Sequence, residues 1–400
     1  MPALELVLDF LPADPAVSAP VDPWVRDIAR RLREDVPAPP SVMPFENDTA
    51  FRPPSSHRAF YLWPGLIDPT HRPVVSLKGM ECLAADFPAL LRHLRRPSYS
   101  PHNQLEHLVF EENKVPGCLT LEEARVGASR AAELQAAHAT EFGEVARLPT
   151  PIAVFRHTEA AETAVLSELR IMLSRPALDR VTPLVRSGLG VYAYGYSCPP
   201  LRVRDVEYLL RGRSFWTRAE DLSSLLDVEL VLGRWMSLLA RMLWLGFLPA
   251  TLGSLRTGTI CQPQNVCVDG GFVDLDSVVR VEELPDDASV ELGLELTLDG
   301  MRETVESLVL GRPAKGGRGH SEAHEVSRFV SAQLRAAIER EARPGLTLDA
   351  RLVRFFDTPK SLSELTQRLA THQQAPSPAF DFATRKFAPL GSKLFAAARG

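Results

Sequence analysis

The chain has few of the features that are typical of a secreted protein, a membrane-spanning protein or a protein stabilised by a structural metal ion. Its five cysteines are an odd number without CxxC spacing, so neither a disulfide framework nor a zinc site is indicated. No apolar stretch reaches the length of a membrane span, and the amino-terminal MPALELVLDFLPAD begins acidic rather than basic. These absences predict a cytoplasmic protein with no membrane partner.

An excess of positive charge is also missing. The chain holds 45 Lys and Arg against 50 Asp and Glu, a net charge of −5. The chain as a whole therefore lacks the positive charge that attracts the phosphate backbone of a nucleic acid, and we expect no nucleic-acid partner. With 400 residues, of which 45% are hydrophobic and 24% charged, the chain is long enough for one large core or two lobes.

The most informative segment is GTICQPQNVCVDGGFVDLDS, at 258–277. Asn265 stands nine positions before Asp274, and these residue types supply the oxygens that hold Mg²⁺ against nucleotide phosphates. Apolar residues flank the DGG turn, which predicts a two-stranded ribbon over 266–275 with both side chains at one edge of a cleft. On these residues alone, a hairpin with an Asn cap and a surface DxD motif is an equally good interpretation.

The order of the surrounding elements favours the nucleotide interpretation. HRPVVSLKG at 71–79 predicts a short strand that ends in Lys78, and LEEARVGASRAAELQAAHATEF predicts a helix that leads into the strand PIAVF. Residues 225–246 place apolar side chains at spacings of three and four, which predicts a buried helix before the Asn turn. Protein-kinase-like folds deliver their ATP site in this order of parts.

Four stretches together resemble the selenoprotein O family, kinase-like proteins that transfer AMP to protein hydroxyls. SLKG at 76–79 matches the family's strand Lys before Gly, and TEFGEVARLPTP at 140–151 matches its helix Glu eight residues before a Pro-Thr pair. PPLRVRDVEYLLRGR at 199–213 resembles a segment in which an Arg-Val pair precedes an aromatic helix. The run at 245–277 resembles the family's GF, Asn and Asp pattern with the same nine-residue step.

The resemblance implies a cofactor site for ATP and Mg²⁺. Lys78 would meet the nucleotide phosphates and pair with Glu141, and Arg202 would bind a phosphate group. Asn265 and Asp274 would be the metal ligands. A protein or peptide would be the acceptor of the transferred group.

The predicted catalytic residues are Asp274 and Asp276. Ordinary protein kinases place an Asp base five residues before the metal Asn, and that position here is Ile260, which cannot accept a proton. A conventional kinase mechanism is therefore disfavoured, whereas transfer by positioning and metal electrostatics survives. Asp276, two residues beyond the metal Asp, is the candidate acceptor of the substrate proton.

The chain also departs from the resembled family. Lys78 and Glu141 are 63 positions apart, where the family has only a short stretch, and KGMECLAADF replaces a Gly-rich, Ser-Arg segment after the Lys. A second phosphate-binding Arg, expected seven residues before Arg202, falls at Gly195.

These observations predict an α+β, protein-kinase-like bilobal fold, with a mixed α/β N-lobe and a mainly helical C-lobe. We expect an N-terminal extension over 1–50, and an N-lobe over 51–200 with an insertion at about 80–120. The C-lobe would span 201–400 and carry the metal-binding ribbon at 258–277.

Three functions remain open from the sequence. The first is a Mg²⁺- and ATP-dependent transferase, with AMP transfer to a protein hydroxyl ahead of phosphate transfer. The second is a catalytically degenerate pseudokinase that binds nucleotide without turnover. The third is a recognition protein whose 80–120 insertion and N-terminal extension bind a peptide or partner, with no nucleotide bound.

Overall fold

The structure is a computed structural model, and it describes residues 4–10, 49–51, 59–63, 74–79, 104–110, 113–196, 202–204, 228–252, 257–310 and 320–357. The chain divides into two compact units. The first unit comprises residues 1–133 and 148–199, and the second comprises 134–147 and 200–400. None of the helices in the described ranges combines the length and apolarity that crossing a membrane requires.

A seven-stranded antiparallel sheet forms the centre of the first unit. The strand order is β1-β6-β7-β4-β3-β2, and the short β5 pairs with β7. The strands are β1 (Leu4–Asp9), β2 (Thr49–Phe51), β3 (Ala59–Trp63), β4 (Val74–Lys78), β5 (Leu119–Thr120), β6 (Thr150–His157) and β7 (Leu189–Tyr196). Every residue of β7 is buried, as expected for a strand in the interior of a sheet with apolar and small side chains.

Four helices in the described ranges accompany this sheet. They are α1 (Gln104–Phe110), α2 (Leu121–Phe142), α3 (Glu159–Met172) and α4 (Arg175–Arg186). Apolar side chains of α1, α3 and α4 join those of β4, β6 and β7 in one core, in which Val75, Phe155 and Leu169 are fully enclosed. The period of 3.6 residues in the helices and of two in the strands brings these side chains to a common interior.

Local sequence signals explain both ends of α2. The Thr120 hydroxyl accepts a hydrogen bond from the Glu123 amide at 3.1 Å, and the Glu123 carboxylate accepts one from the Thr120 amide at 2.8 Å. This reciprocal pair is a capping box, and it satisfies two otherwise unpaired amides. Gly143 follows the helix with φ of 72°, in the left-handed conformation that ends many helices.

The second unit is mainly helical. Its helices are α5 (Val228–Trp244), α6 (Asp287–Leu310), α7 (His320–Arg340) and α8 (Ala350–Asp357), with a 3₁₀ turn at Val281–Glu283. Helix α7 packs on α5 and α6, and α8 packs on α6. Two short antiparallel pairs complete the described part: β8 (Phe247–Leu248) with β11 (Val279–Arg280), and β9 (Ala250–Leu252) with β10 (Thr257–Thr259).

The α+β class predicted from the sequence is confirmed, since an antiparallel sheet and many helices coexist in the chain. The strand that ends in Lys78 and the buried helix within 225–246 are confirmed as β4 and α5. The protein-kinase-like assignment stays a prediction.

The amino terminus differs from the expected extension over 1–50. Leu4–Asp9 forms β1 and pairs with β6 at the edge of the sheet, because the apolar residues of LELVLD suit a partly covered strand. Residues 11–48 lie outside the described part. Of the expected insertion at 80–120, only 104–110 and 113–120 are described.

Candidate functional site

The predicted ribbon exists in the second unit as a tight hairpin. Val266 pairs with Phe272, and the Cys267 amide donates to the Gly271 carbonyl at 2.8 Å. The Gly270 amide closes the turn by donating to the Cys267 carbonyl at 2.9 Å, and Gly270 has φ of 85°. A three-residue turn of this kind needs a left-handed third position, which explains the glycine.

The hairpin brings the backbones of the two predicted metal ligands to its open end. The Val273 amide donates to the Asn265 carbonyl at 3.1 Å, so Asp274, the next residue, begins at the level of Asn265 across the hairpin. Both side chains are half-buried. An amide oxygen and a carboxylate are hard oxygen donors, and Mg²⁺ in nucleotide sites takes one or two protein oxygens and completes its shell with phosphates and water. The donor set therefore fits this ion.

The pair is not part of a larger cluster of metal-binding side chains. Among the described residues, no three His, Cys, Asp or Glu side chains group in a way that would hold an ion by themselves. A site built from Asn265 and Asp274 would thus depend on ligand phosphates, as Mg²⁺ sites in nucleotide-binding proteins commonly do.

Arg202 lies beside the same hairpin. Its backbone pairs with Cys267, the Val203 amide donates to the Val266 carbonyl at 2.9 Å, and the Arg204 amide donates to the Pro263 carbonyl at 2.9 Å. Segment 202–204 is therefore a third strand-like stretch against the Asn turn, and Arg202 is buried there. The structure thus pairs the backbone at Arg202 with the hairpin that contains Asn265 and leads into Asp274.

Asp276 follows Asp274 after the ribbon has ended. The predicted strand over 266–275 is shorter than expected, because the Phe272 amide donates outward to the Arg147 carbonyl at 3.1 Å and the backbone turns at 276–277. Asp276 is half-buried and accepts a long 3.4 Å bond from the Ser277 hydroxyl. The regular alternation that would place Asp274 and Asp276 on one face is absent.

The other two predicted cofactor residues are Lys78 and Glu141. Lys78 ends β4 in the first unit and is buried, with Gly79 next to it at φ of 94°. A Cβ on Gly79 would come within 2.4 Å of the Gly190 carbonyl oxygen, so this part of the LKG motif is required by strand packing. Glu141 is exposed in the last turn of α2 and forms no ion pair among the described residues.

Three buried residues near the Asn turn belong to the core. Ile260, at the position of a kinase's catalytic Asp, is fully enclosed. Cys261 and Cys267 bracket Asn265 and are fully buried as well, and burial raises the pKa of the Cys261 thiol far above its usual range. A thiol held protonated in this way is a packing group and not a nucleophile.

Sequence reasoning missed a charged cluster around Arg241 of α5. Its Nε donates to the Glu341 carboxylate at 2.7 Å, and its Nη1 donates to the Glu144 carboxylate. The guanidinium also lies over the Phe142 ring, 4.9 Å from the centroid. Arg241 and Glu341 are 100 positions apart, so no local pattern could have indicated the pair.

His138 of α2 completes the cluster. Its Nδ1 is 2.9 Å from the Glu144 carbonyl oxygen, which can only accept, so Nδ1 carries the proton and Nε2 is the acceptor 3.5 Å from Arg241 Nη1. Burial lowers the pKa of His138, and the nearby Arg241 charge lowers it further. The hydrogen bond with Arg241 lowers the pKa of Glu144.

A cavity of about 430 Å³ adjoins this cluster within the second unit. Helix α5 and residues 144–147 contribute most of its lining, with Gly270 of the hairpin turn and Arg340 of α7. Its volume falls within the range of about 300–1,000 Å³ that is usual for small-molecule sites.

Comparison of the chain with protein-family models, with curated proteins and with solved structures finds no match.

Proposed function

We propose that the protein is a Mg²⁺- and ATP-dependent transferase of the protein-kinase-like superfamily that transfers AMP to a hydroxyl of a protein or peptide. The observation that carries the proposal is the hydrogen bond from the Val273 amide to the Asn265 carbonyl. This bond supports the proposal because Asn265 and Asp274, residues of the two types that hold Mg²⁺ at nucleotide phosphates, then flank the open end of one short hairpin.

The residues beside the hairpin support anion binding there. Arg202 is buried against the Asn turn, and a guanidinium group in such a position favours phosphate oxygens through charge-assisted hydrogen bonds. Bound Mg²⁺ would supply charge neutralisation of the phosphates. Asn265 and Asp274 would fix the position of the triphosphate, so that positioning and electrostatics account for most of the rate enhancement.

The transfer balances as follows. The acceptor hydroxyl oxygen forms a bond to the α-phosphorus, and the bond from that phosphorus to the β-phosphate bridging oxygen breaks, which releases pyrophosphate. The hydroxyl proton goes to a carboxylate, for which Asp276 is our candidate. Because Ile260 is enclosed in the core, the position used by kinases for this purpose supplies no base.

Lys78 and Glu141 enter the proposal through the resemblance alone. Lys78 belongs to the first unit and Glu141 to the second. The resemblance implies that the Lys78 ammonium meets phosphate, whereas the exposed Glu141 has no ion pair within the described part of the chain that would support its expected role.

Calorimetric titration of the full chain with ATP, with and without Mg²⁺, tests the site. We expect Mg²⁺-dependent binding that Asp274→Ala abolishes and Asn265→Ala weakens by about tenfold or more, since each removes one metal ligand. Asp287→Asn is the matched control, because this exposed carboxylate pairs with the exposed Arg354 at 2.9 Å, and an exposed pair of this kind contributes little. Equal Mg²⁺-dependent affinity of Asp274→Ala and the unaltered protein would contradict the proposal.

The second candidate function is nucleotide binding without transfer. The burial of Ile260 and the irregular backbone after Asp274 favour it, because neither provides a base in a defined position. Mg²⁺-dependent binding of ATP that is sensitive to Asp274→Ala, but without label transfer to any protein, would select this candidate.

A further inference from the structure

The cavity beside Arg241 has an excess of positive charge in its lining. Four guanidinium groups and two carboxylates line it: Arg147, Arg234, Arg241, Arg340, Glu144 and Glu229. Glu341 binds Arg241 together with Glu144 and also lies 3.6 Å from Arg340 Nε, so four arginines face three carboxylates and one net positive charge remains. A neutral or cationic ligand would not match this lining, whereas an anion would.

Arg234 is the best-placed group for a ligand. It is half-buried on α5, and it forms no hydrogen bond or ion pair with any described residue. The hairpin turn packs against the base of its side chain, since a Cβ on Gly270 would lie 2.6 Å from the Arg234 Cβ.

Arg340 approaches the same cavity from α7. Its Nη2 donates to the Ser237 hydroxyl at 3.0 Å, and Ser237 also lines the cavity. Next to Arg234 on α5, a Cβ at Gly233 would meet no atom within 4 Å, so the space beside that turn of the helix is open. Two guanidinium groups and a hydroxyl therefore border the same open volume.

The cavity also has an apolar edge. Val145 and Leu230 line it and are 67% and 46% exposed, so apolar surface borders the arginines. An inorganic anion alone would leave both in water. A ligand that carries an apolar group next to its anionic group would cover them.

We propose that this cavity binds a small organic phosphate, with Arg234 and Arg340 on the phosphate and Leu230 and Val145 against the apolar part. Two guanidinium groups suit a dianion, because each can donate two parallel hydrogen bonds to phosphate oxygens. The site is separate from the proposed metal site: Gly270 lies at the closed end of the hairpin, whereas Asn265 and Asp274 lie at its open end. The inference does not depend on the proposed function.

Titration calorimetry of the full chain with phenyl phosphate, in a buffer with EDTA, tests the proposal. We expect one binding site, and weaker binding of inorganic phosphate than of phenyl phosphate. Arg234→Gln and Arg340→Gln should each weaken phenyl phosphate binding by about tenfold or more, the loss expected for a charge-assisted hydrogen bond. Leu230→Ser should reduce the preference for phenyl phosphate over inorganic phosphate.

One control variant keeps the proposal falsifiable. Arg328→Gln removes an exposed arginine of α7 that does not line the cavity, and its affinity should equal that of the unaltered protein. Failure of phenyl phosphate to bind would overturn the proposal. Equal affinity of the Arg234→Gln and Arg328→Gln variants would overturn it as well, provided both melt at the temperature of the unaltered protein.

Discussion

At the scale of single residues, the second unit contains a histidine that is buried among charged groups. His138 donates through Nδ1 to the Glu144 carbonyl and faces Arg241 through Nε2. Protonation of Nε2 would remove the acceptor of Arg241 and place two positive charges together. The neutral form is thus the one that the fold stabilises, in agreement with the lowered pKa.

This arrangement predicts a pH-dependent loss of stability. Because the folded-state pKa of His138 lies below its usual value of 6.5, the unfolded chain binds the proton first. The contribution of His138 to the free energy of unfolding is therefore complete above pH 6.5. It is lost as the pH falls through the folded-state pKa. Glu144 and Glu341 stay ionised near pH 6, because their pKa values are lowered from 4.5.

Chemical denaturation between pH 7.5 and 5.5 measures this effect. The unaltered protein should lose stability more steeply than His138→Asn, which keeps a donor for the Glu144 carbonyl and has no proton to gain. The difference in slope should not exceed about 1.4 kcal/mol per pH unit, the limit for one proton. Parallel curves for the two proteins would exclude His138 as the titrating group.

At the scale of elements, two glycines where the hairpin packs on α5 should respond in opposite ways to an added side chain. Gly233 lies inside α5 where a Cβ would meet nothing within 4 Å, so Gly233→Ala should stabilise the protein by roughly 0.5–1 kcal/mol. Gly270 has φ of 85°, and its Cβ would lie 2.6 Å from Arg234 Cβ and 3.0 Å from the Trp235 amide nitrogen. Gly270→Ala should destabilise by about 1–3 kcal/mol.

Thermal unfolding of the two alanine variants checks this pair of predictions. The melting temperature should rise for Gly233→Ala and fall for Gly270→Ala. Trp235 and Phe272 also make an edge-on contact next to the turn, with 6.4 Å between their ring centroids. This contact further stabilises the packing of the hairpin on α5. A rise for both variants would mean that the hairpin does not contact α5 in this way.

The elements with local signals were the ones that the sequence could predict. β4 and α5 have clear apolar periods, and the DGG turn indicated the hairpin because its residues are contiguous. The length of the hairpin was wrong, since the Phe272 amide is drawn to the Arg147 carbonyl, a contact that no local pattern contains. β1 was missed for a similar reason: its partner β6 is distant in sequence.

The same limit applies to the candidate site. Asn265 and Asp274 could be paired from the sequence because nine residues with a turn between them must fold back. The approach of Arg202 was suggested by resemblance and requires a long-range backbone pairing. The Arg241 cluster and the cavity could not be predicted, since they join residues about a hundred positions apart. In the sequence, these charged residues are indistinguishable from those of an ordinary solvent-exposed surface.

At the scale of the whole molecule, the chain is an α+β protein of two compact units, of which the first contains the sheet and the second contains Arg202, Asn265 and Asp274. The central claim is that the second unit holds Mg²⁺ at Asn265 and Asp274 for transfer from ATP. The resemblance supports this claim, and the backbone geometry of the hairpin is compatible with it.

The most direct measurement is label transfer from ATP. The pure full chain, its Asp274→Ala variant and the Asp287→Asn control are incubated with Mg²⁺ and ATP labelled at the α or at the γ phosphate, and incorporation into protein is followed. Our account predicts incorporation of the α label by the unaltered chain and by Asp287→Asn, and none by Asp274→Ala. Incorporation of the γ label alone, or equal incorporation by Asp274→Ala, would contradict it.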